Sequence, residues 1–354
     1  MIHTFKFSEQ TQFDLNTITD FNNRCFSIRG NHRQYDAFRF VDNPFASETF
    51  DYLYGVEKDG EYIAQMLTMP APLSLKNTII PAFWGQDYIV LENYRGEGIG
   101  KNLAPFYLGK DYYIAVGFSP KSAVIHQKMG AKKIGYLDFY QKWGSSLHQA
   151  KWLLQRLLKI SPKEIGDYTF PDTIGHFKRI KKIEDLHLPH LNWNSNTVET
   201  LRDKTYFQWR FFYQPNRYFV YQWKDTKDQN ATYFVGKPYF YKGVNWLRVV
   251  DYRFDIQKKE HFSAILKAAE KLRKKLHLYG ILISSSLNVT REELEEQKFL
   301  QTKHEVVLTT YPFQHKETNE AHNHFFISFA DSDMDMHTNK GEFNFEDKTI
   351  KNTM

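Results

Sequence analysis

The sequence predicts an α+β protein, with mixed β-sheets flanked by helices in two consecutive domains. Three observations lead there. Over residues 88–100 (YIVLENYRGEGIG) an apolar strand runs into a glycine-rich turn, and KNLAPFYL after it can start a helix that Pro105 limits or kinks. Upstream, FDYLYGVEKDGEYIAQMLTMP reads as two strands joined at Lys58-Asp59-Gly60, a hairpin turn sequence. In the second half, the strand NWLRVVDYRFD, the helix EHFSAILKAAEKLRKKL and the strand YGILISSS follow in a matching order. With 354 residues, the chain is long enough for two domains.

Composition narrows the function classes. Hydrophobic residues make up 42%, enough for substantial cores, and no apolar run approaches the roughly 20 residues of a bilayer span. The start, MIHTFKFSEQ, lacks the apolar core and cleavage site of a signal peptide. Cys25 is the single cysteine, which excludes an internal disulfide and fits a reducing cytoplasm; in FNNRCFSI it reads as a small packed side chain rather than a nucleophile. The net charge of +6, from 47 basic and 41 acidic residues, suits phosphate-bearing small ligands and does not call for nucleic acid. The 17% aromatic content is accounted for first by Tyr-rich sheets, with some rings left to line a sugar-stacking groove.

Taken in order, residues 1–30 read as a polar strand and then the helix TITDFNNRCFSI, with Thr19 or Asp20 as N-cap. Residues 35–80 read as a loop and two strands. The stretch 88–100 then builds a phosphate cradle. Glycines let the backbone turn tightly and approach an anion, and the first N–H groups of a helix lack intrahelical partners. Arg95 adds a fixed charge, and Lys101 can add another. The Walker loop is excluded because Asn102 follows Gly100-Lys101, and the dinucleotide fingerprint because Gly96, Gly98 and Gly100 have the wrong spacing.

Val90, Tyr94, Arg95, Gly98 and Gly100 instead form Val-x-x-x-Tyr-Arg-x-x-Gly-x-Gly, which resembles the acetyl-CoA signature of the GCN5-related N-acetyltransferase (GNAT) superfamily. After a second strand, YYIAVGF, comes SPKSAVIHQKMGAKKIGY. Members of that family usually show Asn-x-x-Ala-x-x-Leu-Tyr-x-Lys-x-Gly-Phe at this point. Ser119 stands for the Asn, Ile125 for the Leu, His126 for the Tyr and Lys128 for the Lys, with Gly130 kept and Ala131 in place of the Phe. The resemblance implies that residues 1–145 are a GNAT domain holding acetyl-CoA on Val90, Leu91, Arg95, Gly96, Glu97, Gly98, Ile99, Gly100, Lys101 and Ser119.

Residues 146–200 break the pattern. SSLHQAKWLLQRLLKI is predicted helical, with Leu147, Trp152, Leu154, Leu157 and Leu158 apolar, and is expected to pack on one of the domains. A charged connector with Pro162, Pro171 and Pro189 follows. Then the first half recurs in part. Phe38-Arg39-Phe40-Val41-Asp42-Asn43-Pro44 resembles Trp209-Arg210-Phe211-Phe212-Tyr213-Gln214-Pro215, and REELEEQKFLQTK falls where the first half has SAVIHQKMGAKK. Residues 201–337 therefore read as a second GNAT-like domain. DIQKKEHF replaces the glycine turn there, so one acyl-CoA site is expected, in the first domain. Residues 338–354 are polar and read as disordered.

HFFISFADSDMDMH reads as a strand ending in Asp331, Asp333 and Asp335, which alternation places on one side. A solvated strand end is the ordinary reading and a metal or amine clamp the sharper one; no metal site is assigned. His322 and His324 flank the strand start and read as structural.

An N-acetyltransferase must present a neutral amine, stabilise an oxyanion and protonate a thiolate. The resemblance implies a splayed strand whose N–H near Val90 or Leu91 is the oxyanion donor. Asp87, three residues before Val90, is the first candidate base, and Glu92 the second. His126 stands where many members carry the tyrosine that protonates the CoA sulfur. The expected reaction is acetyl transfer from acetyl-CoA to a primary amine of a small molecule, with an amino-sugar or nucleotide-linked amino-sugar favoured. The alternatives are a Fem-like transferase using aminoacyl-tRNA and a non-catalytic acyl-CoA-binding protein.

Overall fold

The computed structural model of the chain describes residues 2–9, 14–26, 32–47, 51–75, 78–103, 112–160, 168–188, 197–213, 218–224, 232–241, 243–310, 324–332 and 334–336. Pro105, Pro162, Pro189, Pro215, His322, Asp333, the side chain of His324 and residues 338–354 lie outside that set. The first elements are β1 (Ile2–Lys6), α1 (Leu15–Cys25), α2 (His32–Phe40), β2 (Tyr54–Lys58), β3 (Glu61–Pro70), β4 (Leu73–Leu75), β5 (Thr78–Ile80), β6 (Ala82–Val90), α3 (Ile99–Leu103), β7 (Tyr112–Val116), α4 (Pro120–Lys128) and β8 (Lys132–Trp143). Then follow α5 (Ser146–Leu157), β9 (Thr173–Ile174), β10 (Phe177–Ile180), β11 (Thr197–Thr200), α6 (Lys204–Phe207), β12 (Phe219–Trp223), β13 (Tyr233–Tyr241), β14 (Val244–Arg253), α7 (Lys259–Lys275), β15 (Gly280–Ser285), α8 (Asn288–Glu296), β16 (Leu300–Thr310) and β17 (His324–Phe326).

The described residues form two compact units. The first takes those up to Tyr136 together with 305–310; the second takes Leu137–His304 and those from His324 onward. Each of the strands β8 and β16 thus begins in one unit and ends in the other.

In the first unit the sheet runs β1-β2-β3-β6-β7 and then the distal part of β16. Every neighbouring pair is antiparallel except β6 and β7. The β2–β3 turn works because Asp59 (φ 53°) and Gly60 (φ 83°) both take the left-handed conformation that a two-residue hairpin loop needs. The parallel β6–β7 pair requires a crossover, which α3 supplies, packing against β2, β3 and β6. Tyr54, Val56, Ile63, Met66, Ile99, Leu103 and Tyr113 fill the core beneath it.

Two local expectations are corrected here. Helix α1 starts earlier than TITDF: Asp14 is its cap, accepting from the Asn16 N–H at 2.8 Å, while Thr19 lies buried inside the helix. The segment before β2 is not all loop, because HRQYDAFRF forms α2, whose buried side includes Tyr35, Asp36, Phe38 and Arg39.

In the second unit the sheet runs from the 137–143 part of β8 through β15, β14, β13, β12 and β10 to β9. Again one neighbouring pair, β14–β15, is parallel and the others are antiparallel. Helix α7 makes the crossover and buries Phe262, Ile265, Leu266, Ala269 and Leu272 on one face. The pairing pattern of the first unit is therefore repeated.

The C-terminal aspartates are not a solvated strand end. Strand β17 stops at Phe326, and the chain then turns Asp331 and Asp335 inward, where they are 1% and 0% exposed. Asp331 pairs with Arg202 at 2.8 Å, and Asp335 pairs with Arg210 and with Lys237. A carboxylate loses its hydration on burial, so it goes inside only where cations and donors replace water.

Candidate active site

Strand β6 carries the site. It pairs with β7 only where Ala82, Phe83 and Trp84 face Tyr112, Tyr113 and Ile114. A β-carbon on Gly85, the next residue, would overlap the phenol of Tyr113. Glycine there lets that ring lie against the β6 backbone where the pairing ends. On its other edge β6 stays with β3, but the register slips: Leu67 faces Gln86 and Gln65 faces Ile89. Asp87 and Tyr88 together span the place of one β3 residue, a bulge, and Asp87 takes φ 37°. A bulge re-aims side chains, and here it turns both toward their partners.

Asp87 pairs with Arg39 of α2 at 2.8 Å. Arg39 is fully buried; it also meets Asp36 at 2.6 Å and donates to the Gln86 Oε1 at 2.9 Å. Asn22 and Thr19 of α1 donate to Asp36, and Gln65 donates to Asn22. One guanidinium thus faces two carboxylates in a nearly dry pocket. Burial raises the Asp36 carboxyl above its ordinary 3.8, Arg39 opposes that, and the Asp87 charge adds to it. Neither Asp36 nor Arg39 was named as a site residue from sequence; their i,i+3 spacing on one helix was the available signal.

Beyond the bulge, the Leu91 N–H donates to the Ile63 carbonyl at 2.9 Å. Leu91 is therefore committed to β3 and is corrected as an oxyanion-donor candidate. Amides alternate along a strand, so the Val90 N–H points to the opposite edge, where β6 has parted from β7. The Val90 carbonyl accepts from Arg95 Nε at 3.0 Å.

The cradle follows. Gly96 (φ 94°) and Gly98 (φ 79°) are left-handed, and a β-carbon on either would meet nothing within 4 Å. Their space is open rather than filled by protein, which is what a bound phosphate group needs. Gly100 is held differently: a β-carbon there would sit 2.7 Å from the Tyr88 hydroxyl, which donates to the Gly100 carbonyl at 2.6 Å. Arg95, Glu97, Lys101 and Glu92 are exposed around the turn; Ile99 is buried as its anchor. Glu97 pairs with Lys58 at 2.8 Å. Glu92 lies in the short turn after β6, exposed to solvent.

Ser119 caps α4, accepting from the Ser122 N–H at 3.2 Å, and Pro120 occupies the first turn, where its missing N–H costs nothing. His126 of α4 is 0% exposed. Its Nδ1 lies 2.8 Å from the Ser122 carbonyl, an acceptor, so Nδ1 carries the proton and Nε2 faces the Tyr113 hydroxyl at 3.4 Å as an acceptor. Burial lowers its pKa below 6.5. A neutral imidazole with its proton committed to Ser122 does not offer that proton to a thiolate. Around it stand Phe118 at 4.4 Å, Tyr88 at 5.2 Å and Tyr113 at 6.0 Å between ring centroids. Burial pushes the Tyr88 hydroxyl up to about 12 and Tyr113 higher, so both stay protonated donors.

No family model and no curated sequence matches the chain. Its backbone does match solved structures. A GCN5-related N-acetyltransferase from Kribbella flavida aligns with a TM-score of 0.54 at 13% identity, over 87% of this chain and 71% of that one. This chain has the GNAT fold. A second GCN5-related N-acetyltransferase, from Anabaena variabilis, gives 0.52 at 12% identity over 88% and 73%. The N-myristoyltransferase of Saccharomyces cerevisiae with bound myristoyl-CoA gives 0.53 at 11% identity over 88% and 82%. Identities this low speak to the fold alone. Within the GNAT fold, the parted β6–β7 pair and the glycine turn supply the geometry described above.

Among the described residues, no three His, Cys, Asp or Glu side chains stand together as a metal site, and no helix is long and apolar enough to cross a membrane.

Proposed function

We propose that the protein is an acyl-CoA-dependent N-acyltransferase that moves an acetyl group to a primary amine of a small molecule, with an amino-sugar or nucleotide-linked amino-sugar as acceptor. The observation that carries this reading is the departure of β6 from β7 after Trp84, in a strand that leads directly into the open left-handed glycine turn. Structures of the same fold include one with bound myristoyl-CoA, which supports an acyl-CoA donor here.

Arg95, Lys101 and the backbone amides of the turn from Gly96 to Gly100 would hold the pyrophosphate; acetyl-CoA would supply the activated thioester. The Val90 N–H serves as oxyanion donor. Asp87 takes the proton from the attacking amine. It lies on the strand that leads into the turn, and it shares the Arg39 guanidinium with Asp36. We assign the proton for the leaving thiolate to Tyr88 in place of His126: both protons rest on backbone carbonyls, but the Tyr88 hydroxyl hydrogen can rotate from the Gly100 carbonyl toward a sulfur, whereas the imidazole N–H is fixed in its ring. The Tyr88 ring packs edge-on against the imidazole at 5.2 Å while its hydroxyl donates to the Gly100 carbonyl of α3, and His126 acts as its positioning residue.

The test pairs calorimetry with a thiol-release assay. Wild type should bind acetyl-CoA, Gly98→Trp should not, and an amino-sugar panel should release free CoA. Binding without release from any amine would leave a non-catalytic acyl-CoA-binding protein. Absence of binding, with salt-sensitive binding of aminoacyl-tRNA, would move the protein to the Fem-like class.

A further inference from the structure

Helix α5 of the second unit presents its leucines outward. Ser145 caps it, and no residue within it is buried. The side turned to the protein is His148, Trp152 and Gln155, one helical stripe. His148 stacks on Tyr279 at 5.0 Å and Trp152 lies 5.5 Å from Trp143. The opposite side holds Leu147 (79% exposed), Leu154 (55%) and Leu157 (80%), with Leu153 at 49%. Leu158 and Ile160 extend the apolar surface past the helix end. The helix, expected to pack on one of the domains, packs through its polar stripe and one tryptophan and not through its leucines.

The charges on this segment are of one sign. From Gly144 to Ile160 the chain has Lys151, Arg156 and Lys159 and no Asp or Glu. At 100° per residue, Leu157, Ala150 and Leu153 form the centre of the outer face, and Lys151 and Arg156 fall on its two margins. Long basic side chains at the margins of an apolar face can extend to a headgroup layer while leucines enter the acyl boundary. A second copy fits poorly, because the same face would bring these three cations against their own kind with no acid between them.

We infer that α5 docks in plane on an anionic lipid surface. This inference is independent of the transferase reading. It is tested with the full chain by co-sedimentation with vesicles of phosphatidylcholine alone and with about one-third phosphatidylglycerol. Wild type should sediment with the anionic vesicles and stay in solution with the neutral ones, and added salt should release it. Leu153→Gln with Leu157→Gln should lower the partition by about tenfold or more. Lys151→Gln with Arg156→Gln should lower it about fivefold per charge. The substituted positions are exposed, and the circular dichroism of each variant should match wild type. Wild type that stays in solution with both vesicle types overturns the inference, as does a leucine variant that binds like wild type. Self-association without lipid that the leucine variant abolishes would assign the face to a second copy and overturn it too.

Discussion

Replacing Arg39 by Met tests the charge arrangement at the site most directly. The guanidinium is fully buried and holds Asp36 at 2.6 Å, Asp87 at 2.8 Å and Gln86 at 2.9 Å. Methionine keeps the length of the stem and removes the charge. Two buried carboxylates would then face each other without their shared cation, and breaking such a pair costs about 3–5 kcal/mol. Protonation limits the loss. Near pH 7, placing a proton on one ordinary carboxylate takes about three pH units at 1.36 kcal/mol each, about 4 kcal/mol. Near pH 5 the same step takes about 1.5 kcal/mol. The variant's folded-state carboxylate pKa is raised, so its contribution is present below the unfolded value and lost as pH rises through the folded one. The deficit against wild type should therefore shrink from about 4 kcal/mol near pH 7 to about 1.5 near pH 5 in urea titrations. Adding Asp36→Asn should recover part of it at the higher pH. A deficit below about 1 kcal/mol near pH 7, or one that does not change with pH, would refute the account.

Three further expectations follow from particular contacts. Gly98→Ala should cost about 1–2 kcal/mol, because alanine resists φ 79° although nothing blocks its β-carbon, and should also weaken acetyl-CoA binding by calorimetry. Gly100→Ala should displace the Tyr88 hydroxyl and lose its hydrogen bond, about 1 kcal/mol, and should combine with Tyr88→Phe less than additively in urea melts. His126 has a lowered folded-state pKa, so its stabilisation is present above 6.5 and lost as pH falls toward the lowered value. His126→Phe should flatten the stability curve in that window, measured by thermal unfolding across pH.

The sequence made the cradle legible because its requirements are local. Left-handed glycines and a helix start at Ile99 follow from spacing, and the hairpin at Asp59-Gly60 follows from turn chemistry. The buried faces of α7 and the strand on each side of it were legible from periodicity. What was hidden depends on contacts distant in sequence. Asp87 meets Arg39 only through α2 packing on β3, and the bulge that turns it inward leaves no pattern in DYIV. The commitment of the Leu91 N–H to Ile63, and the burial of Asp331 and Asp335, likewise depend on partners far along the chain. The α5 leucines show the opposite failure: helical periodicity identified an apolar face correctly, but periodicity alone does not say that the protein covers it.

The repeated Arg-Phe pair bears on how the two units divide their roles. Arg39 and Arg210 are both buried, and each meets a carboxylate of its own unit. The surroundings differ in how the charges pair. In the second unit Arg202, Arg253, Arg210 and Lys237 are met by Glu199, Asp251, Asp331 and Asp335, four cations and four carboxylates among the described residues. A matched buried set gains nothing from taking a proton and resists doing so, which suits a structural network. In the first unit Arg39 is shared by Asp36 and Asp87, and Asp87 lies on the bulged strand that runs into the glycine turn. Two buried carboxylates that share one guanidinium are a costlier arrangement for stability than one-to-one pairs, and such a pair can receive a proton. The shared guanidinium lies in the unit that has the cradle, so Asp335→Ala should act on stability, by about 3–5 kcal/mol, and Asp87→Asn on turnover. An Asp87→Asn variant with wild-type kcat and an unchanged pH–rate profile would show that the first network is structural as well.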